Sequence, residues 1–93
     1  MKSLQKYIER QNKVVDMWAK CGHNVGEKYP TDVKELTDEQ KNLLAGRISS
    51  DFSPEALYQD GERKPAAAMK EKAFLEKVKI DLEKLGVEVK IYD

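Results

Sequence analysis

The tetrad Thr37-Asp38-Glu39-Gln40 fixes a helix start more tightly than any other point in this chain. A threonine hydroxyl can accept from the backbone amide three residues on, and a glutamine at that position can reach back to the threonine amide. Asp38 and Glu39 add negative charge at the positive end of the helix. The pattern predicts a helix over 37–50 with Leu43, Leu44 and Ile48 on its inner face.

Two further helices follow from periodicity. In 3–20, Leu4, Tyr7, Ile8, Val14, Val15 and Trp18 recur at three- and four-residue spacing, with Ser3 able to cap the start and Gly22 to end it. In 65–85, Pro65 opens a run rich in Ala, Lys and Glu that Gly86 closes. Its main stripe is Ala67, Phe74, Leu75, Val78, Leu82 and Leu85. Met69, Ala73 and Ile80 fall nearly opposite. Between Gly22 and Leu36 lies a turn-rich connection with Val25, Tyr29, Val33 and Leu36 available for packing, and either an extended stretch or one helical turn suits residues 31–36.

The break at 49–63, "SSDFSPEALYQDGER", repeats helix-start grammar at Ser53-Pro54-Glu55 and predicts a short helix over 53–58, ended by the turn pair Asp60-Gly61. At the other end, Val87, Val89 and Ile91 alternate with Glu88, Lys90 and Tyr92, which predicts a strand over 87–92. The expected architecture is mostly α: one compact domain over 1–93, with three to four helices and a short C-terminal β-strand. Its expected core is Leu4, Ile8, Val15, Trp18, Leu43, Leu44, Ile48, Phe52, Leu57, Phe74, Val78, Leu82 and Leu85.

Charge narrows the partners. Seventeen basic and seventeen acidic side chains cancel, which excludes a strongly basic polyanion coat and a strongly acidic nucleic-acid mimic. The single cysteine, Cys21, allows no intrachain disulfide and fits a reducing compartment. No apolar run is long enough to span a bilayer, and the first residues lack the apolar centre of a secretory signal. A cytoplasmic location is expected.

No constellation meets the requirements of catalysis. Asp51, Glu55, Asp60 and Glu62 crowd four carboxylates into twelve residues, and Asp51, Ser53, Glu55 and Glu62 match a calcium loop in part, but Ala56 stands where that loop needs glycine, and Ser53-Pro54 favours a helix start. Cys21 and His23 supply two ligands where zinc needs three or four. Phosphate-cradling glycine loops are absent. The expectation is therefore a non-enzymatic protein with no cofactor and no metal.

Surfaces carry more. Met69, Ala73 and Ile80 form a thin apolar strip that the main stripe does not need, and an unpaired 87–92 strand offers Val89 and Ile91 to another sheet. These five residues are the expected contacts to a protein partner, self-association included. The alternative is a nucleic-acid face on the first helix, built from Lys2, Lys6, Arg10, Lys13 and Lys20 and interrupted by Glu9 and Asp16.

Residues 51–62, "DFSPEALYQDGE", resemble a segment of small phage-type proteins in which Ser-Pro-Glu-x-Leu and then Asp-Gly-Glu precede a long C-terminal helix. The matching residues are Ser53, Pro54, Glu55, Leu57, Asp60, Gly61 and Glu62, and the likeness spans about 43–85. It implies a helical corner anchored by Leu57 with Phe52 and Tyr58. It also implies a small accessory, regulatory or host-directed role in a host cytoplasm.

Overall fold

The structure is a computed structural model. It describes residues 2–24, 26–53, 58–59, 62–63 and 66–92, and the side chains of these except at 58–59, 62–63 and 66–69. Three long helices dominate: α1 (Lys2–Lys20), α2 (Asp38–Asp51) and α3 (Ala66–Glu83). A 3₁₀ turn, Val33–Glu35, precedes α2. Two short strands, β1 (Tyr58–Gln59) and β2 (Glu62–Arg63), pair antiparallel with Tyr58 opposite Arg63 and Gln59 opposite Glu62.

The start of α2 is the capping box read from the sequence. Thr37 Oγ1 accepts from the Gln40 amide at 3.2 Å, and Gln40 Oε1 accepts from the Thr37 amide at 3.0 Å. Helix α1 has no acid in its first turn. The anion comes instead from α3, where the Asp81 carboxylate accepts from Ser3 Oγ and from the Leu4 amide. A carboxylate there satisfies a free first-turn donor and complements the helix dipole. The cap so ties one end of α1 to the far end of α3.

Helix α3 is the common neighbour of the other two. The core at their junction holds Leu4, Tyr7, Ile8, Leu44, Ala45, Ile48, Phe52, Leu75, Val78 and Leu82, joined by Tyr29, Leu36 and Val89 from the connections. Val15 is also buried, while Phe74 and Leu85 pack against the core from its edge. Leu57 lies outside the described residues.

Two expected core residues are corrected. Leu43 is 44% exposed and Trp18 43% exposed. Successive helical residues are turned by about 100°, which puts Leu43 on the far side of the helix from the face centred between Leu44 and Ala45. The core takes Leu44 with Ala45, Ile48 and Phe52. Trp18 sits where α1 has outrun its neighbours, with residues 16–20 all exposed.

The expected helix over 53–58 is also corrected at its end. Ser53 is a bend after α2, and Tyr58 belongs to β1. Residues 54–57 lie outside the described residues.

The C-terminal segment has the burial pattern of a strand without a ladder. Val89 is buried and Val87 and Ile91 pack against the core, whereas Glu88, Lys90 and Tyr92 are exposed. Yet 87–92 pairs with no strand among the described residues. The connection ahead of α2, one segment that could have paired with it, is committed to α1. The Tyr29 amide donates to Asn12 Oδ1 at 2.8 Å, and Asn12 Nδ2 donates to the Tyr29 carbonyl at 2.9 Å. Gln5 likewise accepts from the Val33 amide and donates to the Thr31 carbonyl. Backbone groups satisfied by α1 side chains are not free to build a sheet.

Candidate functional site

The structure separates the residues singled out by sequence. On α3, Ala73 is exposed and Ile80 is 52% exposed, while the Met69 side chain lies outside the described residues. Helical spacing surrounds Ile80 with Glu76, Lys77, Glu83 and Lys84, all exposed, so its apolar area is isolated by charge. Val89 is only 4% exposed, and Ile91 packs against the core. Both side chains are turned toward the chain's own core.

The basic side of α1 is broken at its centre. Arg10 turns to α3, where its guanidinium meets the Glu71 carboxylate at 2.5 Å and stacks 5.1 Å above the Phe74 ring. Lys2, Lys6, Lys13 and Lys20 remain exposed. Four lysines around a tethered arginine are an ordinary solvated face.

Cys21 is exposed, and His23 packs edge-on against Trp18 with ring centroids 5.5 Å apart. Among the described residues no group of three His, Cys, Asp or Glu side chains could hold a metal ion. Of the acidic corner, Asp51 alone has a described side chain, and it is engaged within the fold.

Asp51 belongs to a polar seam between α1 and α2. Its carboxylate accepts from Tyr7 Oη at 3.2 Å. One turn back, Arg47 donates to Gln11 Oε1 at 3.1 Å and lies 5.1 Å over the Tyr29 ring. Burial raises the Asp51 carboxyl above its ordinary value, with the Tyr7 hydrogen bond opposing. Burial, then the Asp51 charge, pushes the Tyr7 phenol far upward. A neutral phenol donating to a partly buried carboxylate holds two helices together. The pair lines a hollow of about 250 Å³ together with Gln11, Trp18 and Arg47, and the carboxylate there is already engaged by the Tyr7 hydroxyl.

The opposite flank of α2 is open. Asn42, Ala45, Gly46, Ser49 and Ser53 recur at helical spacing and form the floor of a groove of about 580 Å³, and Glu88, Lys90 and Tyr92 of the C-terminal segment form its wall. A β-carbon added at Gly46 would meet nothing within 4 Å. Tyr92 stands 55% exposed at the groove's end. Sequence reasoning passed over this floor because small and polar residues carry no hydrophobic periodicity. The available signal was Gly46 itself, a glycine in the middle of a strongly capped helix.

No family model, curated protein or solved structure matches the chain. Among the described residues no helix is long and apolar enough to cross a membrane.

Proposed function

We propose that this chain is a small non-enzymatic accessory protein that binds a protein partner along α2's open flank and the adjoining C-terminal segment. The observation that carries the reading is Gly46. A glycine inside a helix costs roughly 0.5–1 kcal/mol relative to alanine, and among the described residues nothing comes within 4 Å of a β-carbon placed there. That space adjoins a segment with strand-like alternation and no strand partner among the described residues. Local choices that weaken a fold without an internal return belong at functional sites. The contact surface therefore moves from the α3 strip to the groove, with Ala73 and Ile80 outside it. The likeness of residues 51–62 to phage-type proteins supports a regulatory, host-directed role in a host cytoplasm.

Gly46→Trp tests this. The added ring enters open space, so the variant keeps the wild-type melting temperature to within a few degrees while the groove is filled. Capture from nuclease-treated lysate is compared between wild type, Gly46→Trp and Ile80→Lys. A protein held by wild type and by Ile80→Lys but lost by Gly46→Trp is the expected result. Equal recovery by all three would sink the groove, and retention only after nucleic acid is restored would move the function to the lysines of α1.

A further inference from the structure

We infer that the C-terminal segment takes a second copy of this chain as its partner, the two 87–92 segments pairing antiparallel about a twofold axis at Val89. The inference rests on the partner-binding reading and names its occupant. Three observations carry it.

The first is alternation. Val89 is buried, and Val87 and Ile91 pack on the core, while Glu88, Lys90 and Tyr92 face outward. A segment with one face already fixed on a core has its register decided in advance, because a slip of one residue would turn Val89 to water. The second is the absence of a ladder among the described residues. Backbone donors and acceptors along such a segment are a template for an added strand.

The third observation is charge, and it selects the partner. Antiparallel pairing about Val89 sets Glu88 opposite the second copy's Lys90, and Lys90 opposite its Glu88. Val87 then meets Ile91 across the pair. Sliding by two residues in one direction sets Lys90 against Lys90, and in the other Glu88 against Glu88. Like charges directly opposite each other destabilise a strand pair, and opposite charges stabilise it. The segment is thus self-complementary in one antiparallel register and self-repelling in both neighbours. An isologous contact of this kind closes at two chains. One short strand pair buries little area, so the dimer is weak and dissociates on dilution.

Sedimentation equilibrium up to about 1 mM chain, where even an association of about 4 kcal/mol is half-formed, gives the first readout. Wild type is expected to dimerise reversibly. Glu88→Lys turns both cross-strand pairs repulsive and should weaken the dimer about tenfold, and Glu88→Lys with Lys90→Glu should restore it. Both side chains are exposed, so unchanged melting temperatures are expected throughout. Register is read by cysteine linkage in a Cys21→Ser background. A Glu88→Cys chain mixed with a Lys90→Cys chain should give the mixed disulfide in excess over either self-linked product.

A wild type that stays monomeric at that concentration overturns the inference, as does dominance of the 88–88 or 90–90 product or a double reversal that fails to rescue. Its failure is separable from that of the partner-binding reading. A monomer that still captures a different protein in a Gly46-dependent way keeps the groove and loses the second copy.

Discussion

Helix α2 has two flanks, and they are finished differently. Toward α1 it presents Arg47 and Asp51, side chains long or charged enough to reach Gln11, the Tyr29 ring and the Tyr7 hydroxyl. Toward the C-terminal segment it presents Asn42, Gly46 and Ser49, with Ser53 just past its end, and none of these closes the distance. The same helix, with the same cap and the same buried stripe, is closed by side-chain ties on one side, around a hollow of about 250 Å³, and left untied on the other. The contrast shows that the gap beside Glu88, Lys90 and Tyr92 is a property of the residues chosen and not of helix placement. Residues that close such a gap are in use one third of a turn away.

If the sealed flank is a built structure, breaking it should be costly. The largest effect is expected from Asn12→Ala. Asn12 holds the connection to α1 through both Tyr29 backbone groups, and its loss leaves a part-buried amide and carbonyl without partners. Each such group costs about 1–3 kcal/mol, so a loss of about 2–3 kcal/mol is expected by urea unfolding. A value under about 0.5 kcal/mol would mean the seam is solvent-bridged and the two flanks differ less than their side chains suggest. Arg47→Ala comes next. It forfeits the bond to Gln11 and the cation–π contact with Tyr29, together about 1–2 kcal/mol. Arg47→Lys should recover less than half of this, because the planar guanidinium stacks where an ammonium does not.

These contrasts mark what the sequence discloses. The three helices were legible because each rests on a local rule: the Thr37–Gln40 box, the helical spacing of Leu4, Ile8 and Val15 at four and then seven residues, and Gly86 after α3. The core face of α1 followed from the same spacing. Tyr29 was legible as a packing residue and Val89 as part of an apolar face, but not what each packs against, since each is buried by a connection whose path depends on side chains far along the chain. Asn12 reads as an ordinary surface residue until Tyr29 is laid beside it. The alternation at 87–92 was visible and describes the burial correctly. The missing ladder was not visible, because it depends in part on Gln5 and Asn12 having engaged the backbone of the connection ahead of α2. The groove left less trace still: among the residues of its floor, Gly46 was the one that broke a local rule.

Gly46→Ala sharpens the comparison with an effect of opposite sign. The new β-carbon meets nothing within 4 Å, and the helix backbone becomes less costly to order. Stability should rise by about 0.5–1 kcal/mol, seen as a melting temperature higher by roughly 2–6 °C. A loss of stability would show that the open flank is closed in solution by contacts within the chain, and would undo the distinction between the flanks.

The smallest effect tests whether the sealed flank carries an internal cost. Asp51 lies against Tyr7, with Glu71 raising its carboxyl and Arg10 and Arg47 lowering it, and burial outweighs them all to leave it above the ordinary carboxylate value of 3.8. A folded state that holds this proton more tightly than the unfolded chain is favoured while the group is protonated. Its advantage falls as pH rises from the unfolded value through the folded one, and at neutral pH the desolvated charge is a net cost. Asp51→Asn keeps an acceptor for the Tyr7 hydroxyl and removes the charge. Wild type and variant should therefore agree near pH 3, while near pH 7 the variant should be more stable by less than about 1 kcal/mol. The reverse order, with the variant weaker at neutral pH, would mean that the charge-assisted bond from Tyr7 and the two arginines outweigh burial. Asp51 would then be the strongest tie on the sealed flank and not its one strained member.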